Sequence, residues 1–358
     1  MYRSITVENF KCFREITIPD LKRVNLFTGK NNVGKTALLE AIFLSLGPTN
    51  MRLSMQCSVL RGIQHVRLDA ESIWGLDFYR GDISKPIRIR MCDYDGKEYE
   101  LAIRLSEPEE EIISSSEVTS GNGGGRAAFL QTERKPSRLT AEFTHSDGSK
   151  HHSHAEVVAN GIKVQEAKVR TSLHGTFISS RAPGEVKEQA EYFSSLMESR
   201  RKDTLLDPLK LIEPRLKDLV LLYKGDLPLI AGEIDMGPPI PLPLMGEGVN
   251  RLTSMILAVS HEDKGGAVLV DEVENGFHHS VLEEEWKSLV TIAKESDVQL
   301  FLTTHSWDCV QAAHRVFSSS EEYDLGLYRI ERSGEQTRVI TYDKESIDGS
   351  IKFEMEVR

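Results

Sequence analysis

The stretch Gly29-Lys30-Asn31-Asn32-Val33-Gly34-Lys35-Thr36 decides the fold. It fits the phosphate-binding pattern G-x-x-x-x-G-K-[ST], in which a glycine-rich turn lets backbone N–H groups face a phosphate. Residues 24–27 before it are typical of a short buried strand, and the apolar residues 37–44 after it predict a helix. The turn and the helix dipole therefore point at one place, which predicts a nucleotide site. A plain glycine-rich turn is the alternative, but it leaves the Lys35-Thr36 pair without an explanation.

Two carboxylates follow a second apolar run later in the chain. Asp271 and Glu272 come directly after residues 267–270, which predict a buried strand. Ligands of α/β sheets bind at the carboxyl ends of the strands. In phosphate-loop ATPases an aspartate at this point holds Mg²⁺ together with the loop hydroxyl. We therefore predict that Asp271 and Thr36 are Mg²⁺ ligands and that Glu272 faces the attacking water, although acids also end many ordinary strands.

Two more motifs accompany these acids. Thr303-Thr304-His305 ends the next apolar strand, so we expect His305 to hydrogen-bond the γ-phosphate; a structural histidine is the alternative. Gly246-Glu247-Gly248 precedes a predicted helix, and small residues at a helix start expose N–H groups that can bind a second phosphate. An ordinary glycine-rich helix entry is the competing interpretation of this motif.

The composition is that of a globular protein. The chain has 358 residues, with 39% hydrophobic and 28% charged residues, enough for one large or two ordinary domains. No apolar run is long enough to cross a bilayer, and the first residues are typical of a strand and not of a signal peptide. Four scattered cysteines without a C-x-x-C pair indicate reduced thiols. We therefore expect a cytoplasmic protein with no membrane contact.

The charge is acidic, which bears on the choice of partner. The formal net charge of −11 argues against broad coating of nucleic acid. Two basic clusters remain as candidates for a local groove, although such runs are usually solvated faces. They are Arg52, Arg61 and Arg67, and Arg200-Arg201-Lys202.

The residue composition and alternation along the chain predict four regions. Residues 1–75 and 226–358 are expected to form the two parts of one α/β lobe, with a β-rich insertion at 76–180 and a short helical arm at 181–225 between them. Residues 87–91 and 99–105 alternate about a turn and predict a hairpin. The Ser- and Gly-rich stretch of about 107–150 predicts a flexible loop, and residues 227–244 predict a connecting loop.

Four histidines near the end of the predicted flexible loop are close in sequence: His145, His151, His152 and His154. Closely spaced histidines can bind a metal ion, but no cysteine or acidic ligand shares their spacing. We therefore favour a solvated loop over a metal site.

The order of these motifs resembles the ABC-type ATPase head of the SMC, RecF and OLD families, especially the short bacterial AAA ATPases of phage-defence operons. The resemblance covers roughly residues 1–75 and 226–345. It implies a phosphate-loop ATPase head with a mixed central sheet, an antiparallel β insertion and a short helical insertion. ATP and Mg²⁺ are then the expected cofactors.

The resemblance also implies residue roles. Lys35, Glu272 and His305 are the expected catalytic residues. Nucleotide contacts are expected from the phosphate loop and from a signature motif: Asn31, Asn32, Val33, Gly34, Lys35, Thr36, Ala37, Gly246, Glu247 and Gly248.

Three further segments match or depart from the family pattern. The turn Asn9-Phe10-Lys11 is expected near the adenine. The D-loop falls on residues 274–278, with His278 where transporters carry Asp. The signature has glycine in place of serine and glutamate at its centre, and an acid there weakens contact with a γ-phosphate across a dimer. No Q-loop glutamine is placed beyond a guess at Gln189.

The implied activity is ATP hydrolysis coupled to head-to-tail dimerisation. OLD-family proteins continue into a nuclease domain, but only about fifty residues follow His305 and they contain no D-x-D. We therefore expect a separate effector protein, such as a nuclease, gated by this ATPase. A RecF-like repair ATPase that binds DNA directly is the runner-up. A transporter ATPase and a nucleotide sensor without hydrolysis are further alternatives.

Overall fold

The computed structural model describes residues 1–60, 70–106, 138–158, 161–168, 174–180, 186–235, 237–262, 264–353 and 355. Arg61, Arg67 and residues 107–137 of the predicted flexible loop lie outside these ranges. The strands are β1 (Tyr2–Phe10), β2 (Phe13–Ile18), β3 (Val24–Thr28), β4 (Ile87–Asp93), β5 (Glu98–Ser106), β6 (Arg138–Thr144), β7 (Lys150–Val158), β8 (Gly161–Gln165), β9 (Gly175–Ile178), β10 (Leu216–Lys224), β11 (Leu227–Ile234), β12 (Ile240–Pro241), β13 (Ala267–Val270), β14 (Gln299–Thr303), β15 (Leu325–Ser333) and β16 (Gln336–Tyr342).

The α-helices vary in length from five to fifteen residues. They are α1 (Lys35–Leu46), α2 (Arg52–Leu60), α3 (Ala70–Trp74), α4 (Val186–Glu198), α5 (Asp203–Ile212), α6 (Glu247–His261), α7 (Leu282–Ser296), α8 (Trp307–Ser318) and α9 (Lys344–Lys352).

Two large sheets organise the molecule. A seven-stranded antiparallel sheet runs in the order β2-β1-β4-β5-β6-β7-β8, and a six-stranded sheet runs β16-β15-β3-β14-β13-β9. In the second sheet β9, β13, β14, β3 and β15 are parallel neighbours, and β16 pairs antiparallel at the edge. Strands β10, β11 and β12 form a small third sheet. The predicted α/β class with a mixed central sheet is confirmed.

The central parallel strands are apolar on both faces because both faces are covered. All four residues of β13 and all five of β14 are buried. Val268 and Val270 face a core shared with α6, α7 and α8, whereas Leu269 faces a second core shared with the antiparallel sheet. Continuous apolar runs of this kind are what buried parallel strands require.

Helix α1 lies in the core between the two large sheets. Its residues 37–46 are all buried, and it contacts β1 as well as β9, β13 and β14. A helix that is apolar on all sides needs such a position, because an exposed face would leave apolar surface in water. The phosphate loop is therefore attached to the most buried helix of this core.

The middle of the chain differs from the prediction in three places. The expected β insertion is continuous with β1 and β2, because β4 pairs with β1 along its length. Residues 138–144 lie in the predicted flexible loop but form a strand, which pairs with the strand at 150–158 across the turn at 145–149. Residues 216–224 of the predicted helical arm and 227–234 of the predicted connecting loop form a hairpin.

The histidines predicted as part of a loop lie on β7, apart from His145 in the preceding turn, and no three metal-ligating side chains group together among the described residues. Within the same part of the chain, no helix has the length and apolar character that a membrane crossing requires.

Candidate nucleotide site

The phosphate loop connects β3 to α1 through two glycines that no other residue can replace without strain. Gly29 and Gly34 have φ angles of 139° and 111°, which L-residues rarely adopt. A Cβ atom on Gly34 would lie 2.5 Å from the ring of Phe13 and 2.6 Å from Cys12 Sγ. The loop therefore packs directly on the turn between β1 and β2, which fixes its position.

The loop hydroxyl and the late aspartate meet in space. Thr36 Oγ1 lies 3.1 and 3.0 Å from the two carboxylate oxygens of Asp271, although 235 positions separate these residues. Asp271 is 5% exposed. Thr303 Oγ1 donates to Asp271 Oδ1 at 2.7 Å, and Ser180 Oγ donates to Oδ2 at 3.4 Å. Hydroxyl groups from three separate segments thus converge on one buried carboxylate.

A cavity of about 880 Å³ opens beside this pair. Its volume suits a nucleotide, since small-molecule sites commonly measure several hundred Å³. The lining residues come from the β1–β2 turn, the phosphate loop, α1 and the ends of β9 and β13: Lys11, Cys12, Asn31, Asn32, Gly34, Lys35, Thr36, Ala37, Glu40, Phe177, Ser179, Ser180, Asp271 and Glu272. Of residues 31–37, which were predicted to contact the nucleotide, all but Val33 line this cavity.

Lys35 is folded back on its own loop. Its Nζ donates to Gly29 O at 2.6 Å and to Lys30 O at 3.2 Å. Burial lowers the pKa of this amine, and the nearby carboxylates of Asp271, Glu274 and Glu272 oppose that effect. The ammonium group is thus held by neutral carbonyls at the cavity wall, from which a phosphate can draw it away.

Glu272 occupies a strained backbone position at the edge of the cavity. Its φ angle is 54°, which is rare for a residue with a side chain. Its N–H donates to Thr303 Oγ1 at 2.8 Å, and Asn275 Nδ2 donates to its Oε2 at 2.7 Å. Two neighbouring segments therefore hold both the backbone and the carboxylate of Glu272.

His305 lies at the end of β14 but does not line the cavity. Glu274 Oε1 accepts from His305 N at 2.9 Å and lies 3.1 Å from His305 Nδ1. The imidazole is about half exposed, whereas Glu274 is mostly buried. With Nδ1 engaged, Nε2 is the ring nitrogen left to face a ligand.

The Gly246-Glu247-Gly248 segment begins α6 and is also absent from the lining of the cavity. Gly246 is the N-cap with a φ angle of 125°, and a Cβ atom on Gly248 would lie 2.6 Å from Gly276 O. The segment therefore packs against residues 274–278. Gln189 is on α4 and donates to Ser254 Oγ at 2.8 Å, and it is not a lining residue of the cavity.

Charged residues of the β1–β2 turn and of α1 also line the cavity. Lys11 Nζ donates to Glu40 Oε2 at 2.7 Å and lies 3.4 Å from Asp77 Oδ1. Lys11 of the Asn9-Phe10-Lys11 turn thus lines the cavity, and the position of this turn near the adenine stays a prediction. Sequence reasoning missed Glu40, Ser179 and Ser180, because their position depends on contacts with distant segments and no motif marks them.

The residues present fit a Mg²⁺ ion. Mg²⁺ prefers hard oxygen ligands and binds through one or two carboxylates together with substrate phosphates. The hydroxyl of Thr36 and the carboxylate of Asp271 supply such oxygens at the mouth of the cavity.

The fold and the site define a class of protein, the phosphate-loop ATPases. Residues 24–308 match the sequence model of the family described as AAA domain, putative AbiEii toxin, Type IV TA system. The match spans most of the chain, and the chain belongs to this family. The match to an AAA family confirms the prediction of an ATPase, and the predicted resemblance to SMC-type ATPase heads is confirmed at the level of the fold.

Individual proteins and a solved structure are also similar to this chain. The chain is 21% identical to an ATP/GTP phosphatase of Helicobacter pylori over 363 residues, which covers 97% of each protein. It is 30% identical over 97 residues to an uncharacterized protein of Methanocaldococcus jannaschii, covering 26% of this chain and 43% of that protein. Among solved structures, an Smc head bound to the C-winged helix domain of ScpA aligns with a TM-score of 0.51 and 12% identity, covering 97% of this chain and 99% of that chain.

Proposed function

We propose that this chain hydrolyses ATP in the cavity between the phosphate loop and the end of β13, and that ATP joins two copies head to tail. The observation that carries the proposal is the contact of Thr36 Oγ1 with both oxygens of Asp271. A hydroxyl and a carboxylate from distant segments meet at the point where the N–H groups of a helix start also converge. The Helicobacter pylori relative named ATP/GTP phosphatase supports the same chemistry.

Catalysis of phosphoryl transfer depends on positioning and charge stabilisation. The backbone of the phosphate loop cradles the phosphates, and Lys35 leaves the carbonyls of Gly29 and Lys30 to contact the γ-phosphate. Thr36 and Asp271 would hold Mg²⁺, which would neutralise charge on the phosphate oxygens. Glu272 orients the attacking water or accepts its proton through Oε1, while Asn275 holds Oε2. His305 contacts the γ-phosphate through Nε2.

The position of the signature segment supports the proposed dimerisation. The residues Gly246, Glu247 and Gly248 lie at the start of α6 and away from the lining of the cavity in the same chain. In the proposed dimer each copy offers this helix start to the nucleotide of the other copy. Hydrolysis removes the γ-phosphate that both copies contact and reopens the pair.

A separate effector protein is the remaining part of the proposal. The description of the family names a toxin of a toxin–antitoxin system, and the aligned Smc head carries a bound partner domain. We place this ATPase in a bacterial anti-phage defence system, where opening and closing of the pair gates an effector such as a nuclease. No disulfide joins the four cysteines, all of which lie in the described part of the chain, and this supports a reducing, cytoplasmic setting.

The Glu272→Gln variant tests the proposal. It keeps the size of the side chain but cannot accept a proton, so we expect ATP affinity within a few fold of wild type and turnover at least 100-fold lower. ATP should also convert it to a species of twice the mass in size-exclusion chromatography with light scattering. Glu321→Gln, a change at an exposed acid, is the matched control and should behave as wild type. Full turnover in Glu272→Gln would overturn the assignment.

A further inference from the structure

Arg251 is a buried cation that no part of the proposed chemistry yet uses. It lies on α6 about one turn after Gly246 and Gly248, and it is 4% exposed. Burial lowers the pKa of its guanidinium, while the carboxylates of Asp271, Glu285, Glu272 and Glu247 oppose this effect. Burying an arginine is costly unless its donors are used, so its contacts indicate what it does.

The guanidinium joins the ends of two neighbouring strands. Arg251 Nη1 donates to Ser179 O at 2.6 Å, just beyond β9. Arg251 Nη2 donates to Asp271 O at 2.5 Å and lies 3.5 Å from Glu272 O, just beyond β13. One planar group therefore fixes three backbone carbonyls where the cavity is lined by strand ends.

These carbonyls belong to the residues that the proposed reaction needs in fixed positions. Asp271 carries the carboxylate that faces Thr36, and Ser180, which follows Ser179, donates to that carboxylate at 3.4 Å. Glu272 has the strained φ angle of 54°, so its side chain stays aimed only while the surrounding contacts hold the backbone. Thr303 binds its N–H, and Arg251 approaches its carbonyl.

We propose that Arg251 is a positioning residue that couples the Gly246–Gly248 helix start to the backbone of Asp271 and Glu272. When the helix start shifts against the partner's nucleotide, the guanidinium moves with it. The two strand ends that it binds then move as well, and so do the side chains of Asp271 and Glu272, which would hold Mg²⁺ and orient the attacking water. This inference rests on the proposed function and adds a route by which the signature segment acts on the chemistry of its own chain.

The side-chain chemistry explains why arginine serves here. Its planar fork presents donors on two terminal nitrogens, so it can bind carbonyls on two strands at once and keep both in register. A lysine at this place supplies its three donors from a single nitrogen on a flexible stem, so it lacks the two separate nitrogens with which arginine reaches both strand ends. An apolar side chain such as methionine fills similar space but holds neither strand end.

The experiment compares Arg251→Met and Arg251→Lys with wild type, measuring the ATP dissociation constant by calorimetry and kcat and KM by phosphate release. We expect Arg251→Met to bind ATP within about 3-fold of wild type and to lose roughly 30- to 100-fold in kcat, because small misplacements of reacting groups cost about that much. Arg251→Lys should recover part of the lost kcat. Arg315→Met, at an exposed arginine paired with Glu283, is the control and should match wild type.

Several outcomes would overturn the inference. They are a folded Arg251→Met protein with kcat within 3-fold of wild type, a loss of ATP affinity as large as the loss of kcat, and an Arg251→Lys protein as slow as Arg251→Met. If Arg251→Met does not fold, the circular dichroism and kinetics of Arg251→Lys decide, and failure of both variants to fold marks Arg251 as a purely structural contact. Glu272→Gln is measured in parallel. Full activity in that variant refutes the proposed function. If that variant is inactive, the proposed function stands, and the Arg251 variants then test the positioning role alone.

Discussion

Thr36 illustrates how one hydroxyl can decide between a nucleotide site and a plain glycine-rich turn. Its Oγ1 reaches both carboxylate oxygens of Asp271, and Thr303 and Ser180 support the same carboxylate. A turn that served only to join a strand to a helix has no need of this buried polar cluster. Buried polar groups carry a free-energy cost unless they are paired, so such clusters mark places where function outweighs stability.

The Thr36→Val substitution removes this hydroxyl at almost constant size. We expect ATP affinity in the presence of Mg²⁺ to fall at least 10-fold, about 1.4 kcal/mol, while Thr36→Ser stays within a few fold of wild type. Isothermal titration of ATP with Mg²⁺ and with EDTA measures the difference. A valine variant that keeps the whole gain in affinity from Mg²⁺ would show that Thr36 is not a ligand.

Among the structural elements, the phosphate loop is held by its contact with the β1–β2 turn, and this contact requires the glycine at 34. Gly34→Ala adds a Cβ atom 2.5 Å from the ring of Phe13, in addition to the backbone strain of a positive φ angle. Gly96→Ala is the matched control, because Gly96 also has a positive φ angle, of 77°, but has open space around it.

We expect the two glycine variants to separate in ATP binding. Both should lose about 1 kcal/mol of unfolding free energy from backbone strain, and Gly34→Ala should lose a further 1–3 kcal/mol from overpacking. Gly34→Ala should also bind ATP at least 10-fold more weakly, since the loop must shift. Equal ATP affinity in the two variants, measured by calorimetry beside thermal unfolding, would contradict this account of the loop.

Helix α7 carries a carboxyl group in an apolar setting. Glu285 is fully buried, and neither of its side-chain oxygens accepts a hydrogen bond from the described residues. Burial raises the pKa of Glu285 well above its ordinary value of 4.5; the charge of Glu274 adds to this effect, and Arg251 opposes it. The folded chain therefore keeps a proton on Glu285 at pH values where the unfolded chain has lost it.

The sign of the resulting pH dependence follows from proton counting. Above pH 4.5 the unfolded state binds fewer protons than the folded state, so this group lowers stability as pH rises, by at most about 1.4 kcal/mol per pH unit. Glu285→Gln removes the titration, so the difference in free energy of unfolding should shift in favour of the variant as pH rises above 4.5. Glu295→Gln, at an exposed position on the same helix, should run parallel to wild type. A parallel curve for Glu285→Gln in urea titrations would refute the prediction.

The elements that could be predicted from the sequence were those with a local signal. The strand before the phosphate loop, α1, β13 and β14 have continuous apolar runs next to a motif, and the β4–β5 hairpin has strict alternation. The β10–β11 hairpin was missed because Pro228 and the Pro- and Gly-rich residues after it resemble a loop, although Pro228 is tolerated opposite Tyr223 near the turn. Strands β6 and β7 were hidden by polar and histidine-rich sequence, since only one face of each strand is buried.

At the scale of the whole molecule, the convergence of the early loop and the late acids was predictable because carboxyl ends of parallel strands share one edge of a sheet. Strands β3 and β13 both pair with β14, which places Thr36 and Asp271 side by side. The contacts of Arg251 with Ser179, and of Lys11 with Glu40, join segments with no motif in common. Such contacts depend on the tertiary packing and leave no pattern in the sequence.

The most direct test of the central claim is a crystal structure of this protein with Mg²⁺ and a non-hydrolysable ATP analogue. We predict that the phosphates lie against residues 29–36, that Mg²⁺ lies between Thr36 and Asp271, and that the base lies toward Lys11 and Glu40. A nucleotide bound elsewhere on the chain, or a phosphate loop in contact with the analogue while Asp271 and Glu272 face away from it, would contradict the account.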